Sequence, residues 1–156
     1  MNHRMIKLYP LAAALLLFFL GCTKKDNMEY NVGQEWKYKT RPGEENSILK
    51  ILKIEEYPAN GKVIHISING LKVKDPQHPK GTADKISHLP ITEEALDQSV
   101  ISIKNDTRQM PDSIETDEYS YWKKEFDKGN AGVFSIPVSE IVNVMEKFIV
   151  SGDYTK

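Results

Sequence analysis

The stretch "KVIHISINGLKVK", residues 62–74, decides the fold class. Ile64, Ile66 and Ile68 recur at every second position, with His65 and Ser67 between them. Side chains on a strand point alternately to its two faces, so this spacing predicts a strand with one apolar face, leaving His65 and Ser67 outward. After Ile68 the apolar phase slips by one residue and resumes at Leu71 and Val73. A glycine bulge at Asn69 and Gly70 returns both groups to the core face, and a second hairpin turn there is the alternative. The bulge is the favoured reading.

Working outward, "PANG" (58–61) closes a hairpin, with Asn60 and Gly61 suited to positive φ. The partner strand is "SILKILKIEEY" (47–57), whose apolar phase changes between Leu49/Ile51 and Leu52/Ile54. It is therefore either covered on both faces or bulged. An earlier strand carries Tyr30, Val32, Gln34, Trp36 and Tyr38 on one side, and "RPGEEN" (41–46) turns the chain.

Downstream, "DPQHPKGTADKISHLP" holds Pro76, Pro79 and Pro90 and reads as a long loop over 75–91, of the length that is either functional or disordered. Thr92 caps a helix whose first turn holds Glu93 and Glu94 and whose apolar stripe is Leu96, Val100 and Ile103. A polar stretch follows from Asn105 to Asp117. "EYSYWKKEFDKGN" is a helix stopped at Gly129, and "AGVFSI" reads as one more strand. Pro137 opens a last helix with Val138, Ile141, Val142, Met145, Phe148 and Ile149 at helical spacing, a face that packs on the sheet. The order β-β-β-α-α-β-α places the chain in the α+β class, a small antiparallel sheet packed by a C-terminal amphipathic helix. No repeat or second domain is visible, so residues 30–156 are read as one domain.

The 156 residues carry 21 basic and 22 acidic side chains. Removing the first 21 residues takes away Arg4 and Lys7, leaving 19 against 22. A balance so mixed offers no clustered positive charge for nucleic acid, so no nucleic-acid partner is expected. Cys22 is the one cysteine, which excludes an intrachain disulfide and a cysteine-based zinc knuckle.

Cys22 follows a segment that begins "MNHRMIK" and continues as the 13-residue apolar run "LYPLAAALLLFFL", Leu8 to Leu20. A helix crossing the hydrocarbon core needs about 20 apolar residues, so the run suits the h-region of a signal peptide. Ordinary cleavage before Cys22 would need small residues at Gly21 and Phe19, and Phe19 is large. "FLGC", 19–22, resembles the lipobox of bacterial lipoproteins, with Phe19 where that family usually has leucine. The resemblance implies a signal peptide over 1–21 and a lipidated N-terminus with a short tether over 22–29. It implies diacylglyceryl transfer to the Cys22 thiol, with palmitate-type chains holding the protein to a membrane. In a two-membrane bacterium, Thr23 in place of the family's retention aspartate implies the outer membrane, facing the periplasm. Lys24 and Lys25 are read as part of a solvated linker.

A search for chemistry finds no convergent set. The acidic neighbours Glu44/Glu45, Glu55/Glu56 and Glu93/Glu94 read as solvated surface, and strand neighbours such as Glu55 and Glu56 point to opposite faces. Beyond the leader the histidines are His65, His78 and His88, without zinc-motif spacing, although a site shared with Asp75 or Asp84 is conceivable. There is no G-x-S-x-G elbow and no phosphate loop ending in Gly-Lys-Ser/Thr, and "GNAG" (129–132) reads as a helix stop and turn. Catalytic, cofactor-binding and metal residues are all assigned as none. Tyr119, Trp122 and Phe126, beside Tyr121, form either a ligand platform or a core stripe; packing explains the spacing and the core is favoured, as it is for Trp36 and Tyr38.

"VGQEWKYKTRPGEENS" (32–47), "HISINGLKVKDPQ" (65–77) and "WKKEFDKGNAGVFSI" (122–136) resemble a family of small uncharacterised proteobacterial proteins. That resemblance implies one compact domain and no assigned residues. The resulting expectation is an envelope lipoprotein acting as a non-enzymatic binding or accessory protein, with a protein partner in the envelope. One alternative is an inhibitor or immunity protein against an envelope-attacking enzyme, inserting the 75–91 loop. The other is a periplasmic hydrolase using the three histidines.

Overall fold

The computed structural model describes residues 28–152, so Cys22 and the signal peptide expected over 1–21 lie outside the described residues. Strands β1 (Glu35–Tyr38), β2 (Ile48–Tyr57), β3 (Gly61–Lys74), β4 (Thr82–Thr92) and β5 (Val100–Asn105) form one antiparallel sheet. Their spatial order is β4-β3-β2-β1-β5. The helices are α1 (Glu93–Ser99), α2 (Ser113–Asp127) and α3 (Val138–Ser151). The α+β class, the antiparallel sheet and the C-terminal helix are those expected from the sequence.

The alternation in β3 divides the molecule. Ile64, Ile66 and Ile68 are fully buried with Leu49, Ile51, Leu89 and Ile91, beneath Leu96 of α1 and Val138, Ile141 and Val142 of α3. Burying each such side chain contributes about 1.5–3 kcal/mol, so this face supplies most of the hydrophobic stabilisation. The opposite face holds His65 and Ser67 and is covered by α2, through Trp122 against His65 and Glu115 against Ser67. His65 and Ser67 were expected outward; they leave the aliphatic face as expected but are completely buried, because a helix covers their side too.

Both irregularities read in the strands are present. The register of β2 slips between Ile51 and Lys53, and β2 is also covered on both faces. β3 runs without a break through Gly70, whose φ of +80° and the register shift between Asn69 and Val73 make it a bulge and not a second turn. At "PANG" only Gly61 takes a positive φ. β1 is shorter than expected, since the chain turns at Gly33, though Tyr30, Gln34, Trp36 and Tyr38 are buried.

The largest correction concerns 75–91. Only Asp75–Gly81 is a turn, closed by Gly81 N–H to His78 O and Asp75 N–H to Gly81 O. Thr82–Thr92 is β4, so the inserting loop of the inhibitor reading is a strand. Pro90 disguises it. Its carbonyl faces away from β3 and accepts from Phe134 N–H at 3.0 Å, so the missing proline N–H costs no ladder bond.

Other boundaries moved as well. Thr92 does cap α1, accepting from Ala95 N–H, but the helix ends at Ser99. The β-branched run that follows becomes β5, with Val100 buried and Ile103 exposed. α2 starts earlier than expected, at Ser113, because Asp112 and Glu115 form a reciprocal capping box. "AGVFSI" contributes a single parallel bridge, Phe134 to Ile91. In α3, Phe148 is 52% exposed and so does not share the buried face of Ile141 and Val142.

Gly33 illustrates how tightly the chain closes. It has φ +85°, and a Cβ there would fall on the backbone of Arg108 and Gln109. Gly33→Ala is expected to cost about 2 kcal/mol, read as a lowered urea midpoint with unchanged slope. An unchanged midpoint would contradict this close approach.

Candidate functional site

The face under α2 is polar where the other is aliphatic, and it gathers most of the chemistry-bearing side chains. Register places Lys53 beside His65 and Lys50 beside Ser67 across β2 and β3. α2 lowers Glu115, Tyr119 and Trp122 onto them at helical spacing. Two linked groups result.

The first centres on His65. Its Nδ1 lies 2.9 Å from His88 Nε2, and the two rings stack with a 17° interplanar angle. Its Nε2 lies 3.1 Å from Glu55 Oε2, close enough for charge attraction. That contact is not aligned as a hydrogen bond, so the nitrogen has no hydrogen-bond partner among the described residues. Tyr57 and Tyr119 each donate to Glu55 Oε2 at 2.9 Å, and Lys53 pairs with Glu55 Oε1 at 3.1 Å. Lys53 also donates to the Tyr119 hydroxyl. Trp122 covers both imidazoles, with its ring 4.8 Å from that of His65 and 5.6 Å from that of His88. Its own N–H donates to Gly132 O.

Burial controls the protonation here. It pulls His65 down to about 4 from the ordinary 6.5, with repulsion from His88 adding to the effect and the Glu55 charge opposing it. Burial alone pulls His88 to about 4. Burial also pushes Glu55 upward, but the hydrogen bonds from Lys53, Tyr57 and Tyr119 outweigh it and hold the carboxyl below its usual range. At neutral pH the group is therefore an ionised Glu55 beside two uncharged imidazoles. The nearby carboxylate favours the proton of His65 on Nε2, which makes its Nδ1 the acceptor of His88 Nε2–H. The remaining nitrogen of His88, Nδ1, then carries a lone pair.

The second group centres on Glu115, whose side chain is 1% exposed. Lys50 Nζ reaches its Oε2 at 2.6 Å, and Lys85 Nζ lies 3.5 Å from its Oε1. Ser67 donates to Oε1 at 2.8 Å, while Asp112 N–H donates to Oε2 at 2.9 Å. The carboxylate thus ties β2, β3 and the start of α2 together.

Of the sequence candidates, His65 and His88 come together and His78 does not. It sits in the Asp75–Gly81 turn, where its Nδ1 accepts from Lys80 N–H at 3.2 Å. The contacts of His65 form a chain from Glu55 to His88, and no set of three ligating side chains converges on a metal position among the described residues. The three-histidine constellation of the hydrolase reading is therefore not assembled.

Glu55 and Glu44, expected as solvated surface, are not. Glu44 is 3% exposed, held by Arg41 at 2.6 Å and by Lys72 N–H. Glu45, Glu56 and Glu94 are exposed as expected. Trp36 and Tyr38 are buried in the core cluster, as the core reading held. Of the aromatic stripe only Trp122 is buried, outside that cluster, while Tyr119 and Phe126 are half-buried and Tyr121 is 68% exposed. Sequence reading named none of Lys50, Lys53, Ser67 and Glu115 as a site residue, and placed Ser67 only as an outward strand position. The D-x-x-E spacing of Asp112 and Glu115 was the one local signal for the last of these. Comparison with protein-family models, curated proteins and solved structures finds no match for this chain.

Proposed function

We propose that the protein is an envelope lipoprotein, acylated on Cys22, whose folded body binds a protein partner at the periplasmic face of the outer membrane. The observation that carries this reading is the short distance in sequence between the lipobox cysteine and the folded body. Met28 already packs against the core cluster and Tyr30 is buried in it. The six residues Thr23 to Met28 span about 20 Å at full extension, so acylation at Cys22 would hold the body beside the bilayer. Among the described residues no helix is long and apolar enough to cross a membrane.

Binding as the mode of action draws support from the polar face. Beneath α2, Glu55 accepts from Tyr119, Glu115 accepts from Ser67, and His65 meets His88 across β3 and β4, so these groups serve as ties between elements. Radiolabelled palmitate is expected to enter the wild-type chain and not Cys22→Ala, and equal labelling of the two would refute attachment there. Crosslinking in intact cells tests the partner, and repeated capture of none would count against the binding role.

A further inference from the structure

β4 is an edge of the sheet, and its two halves are treated differently. The end near Pro90 and Thr92 is already paired on its outer side. Phe134 N–H donates to Pro90 O, and Thr92 N–H donates to Phe134 O at 2.9 Å. From Ala83 to His88 the outer side takes no further backbone partner among the described residues. That half lies in a groove of about 260 Å³. Ile86, Met145 and Ile149 line it from the aliphatic side, and Lys85, His88 and Glu118 are its polar members.

We propose that this groove takes an extended peptide segment of a partner protein, which adds as a strand to the outer edge of β4 beyond the Phe134 bridge. Unpaired edge N–H and C=O groups recognise another backbone in extended form. Alternation along the added strand turns one set of side chains to Ile86, Met145 and Ile149 and the other to Glu118 and His88. Glu118 makes no ion pair among the described residues, whereas Lys85 is engaged by Asp112 at 3.2 Å. The fitting sequence therefore alternates apolar with basic residues. A second copy of the sheet fits poorly, because Glu118 of α2 and Met145 and Ile149 of α3 flank the groove along this edge, and a second edge would bring its own flanking helices against them. This inference rests on the binding role proposed above and names its site.

The probe is an acetylated, amidated peptide alternating valine and lysine, added to the full acylated chain in detergent micelles and followed by amide chemical shifts. Shifts are expected at residues 83–88. Methylating alternate backbone nitrogens of the peptide should weaken binding at least tenfold, and Glu118→Lys should weaken it severalfold while favouring a valine–glutamate peptide. No binding at millimolar peptide overturns the proposal, as does binding indifferent to methylation or located elsewhere, or dimerisation through the same residues without peptide. Crosslinking in cells separates the two levels. A partner captured equally by wild type and Glu118→Lys sinks the groove and leaves the binding role standing, whereas capture of no partner by either sinks the binding role itself.

Discussion

Between pH 7 and pH 4 the protein is expected to lose several kcal/mol of folding stability, most of it through His65 and His88. Both imidazoles sit near 4 in the folded protein against 6.5 when free. The unfolded chain therefore binds more protons throughout that window. The stabilisation is fully present above 6.5 and drains away as the pH falls toward 4. Each histidine alone corresponds to about 3 kcal/mol, and the pair to less than twice that because the two interact. Around them, β2 supplies Lys53, Glu55 and Tyr57, β4 supplies Lys85 beyond His88, and α2 supplies Tyr119 and Glu118. Among the described residues Glu55 is the one anion in contact with His65, and it already serves Lys53 and two tyrosines.

The measurement is urea unfolding at a series of pH values, beside a histidine proton titration by NMR. His65→Phe combined with His88→Leu should flatten the limb between 6.5 and 4 and leave the loss below the ordinary carboxylate range, where Glu55 and Glu115 protonate. Should that double variant fail to fold, the NMR titration of the wild type still decides. His65 and His88 titrating near 6.5 in the folded state would overturn the account.

Glu115→Ala is expected to cost about 3–5 kcal/mol, a large share of the stability of a domain this size. The loss has three parts. Lys50, 11% exposed and 2.6 Å away, keeps its charge in a confined site without a partner. Ser67 loses the acceptor of its buried hydroxyl, and the N-terminus of α2 loses half of its capping box. Burial by itself pushes the Glu115 carboxyl upward, but the bonds from Lys50, the Asp112 backbone and Ser67 outweigh it and hold the group below its ordinary range. Its stabilisation is thus present above the free carboxylate value and lost only as the pH falls below it. Replacing both charges, Lys50→Met with Glu115→Leu, should recover much of the loss, because the penalty comes from stranding one charge and not from lacking the pair. A midpoint for Glu115→Ala within about 0.5 kcal/mol of wild type would show that the pair holds nothing together.

Strands β1, β2 and β3, the apolar face of α3 and the cap of α1 were legible because their signals are local. Ile64, Ile66 and Ile68 alternate, Ile141, Val142 and Met145 recur at helical spacing, and Thr92 precedes its helix directly. β4 was not legible, because Pro90 and two register shifts break its alternation and only the neighbouring β3 shows that the proline faces away from the ladder. The length and charge of residues 1–21 and the placement of Cys22 are properties of neighbouring residues alone; they carry the lipobox resemblance as an expectation that lies outside the described residues.

What the sequence by itself determined is which residues of the first three strands share a face, and hence an α+β sheet with an aliphatic core. Only the tertiary structure decided that His65, Ser67 and Glu115 lie inside, with Glu55 half-buried beside them. Alternation sends a side chain to the second face of a sheet but says nothing about what covers that face. Here α2, some 50 residues from β3 in sequence, covers it with Glu115 and Trp122, and that distant packing turns polar strand positions into a buried group whose protonation is coupled to folding.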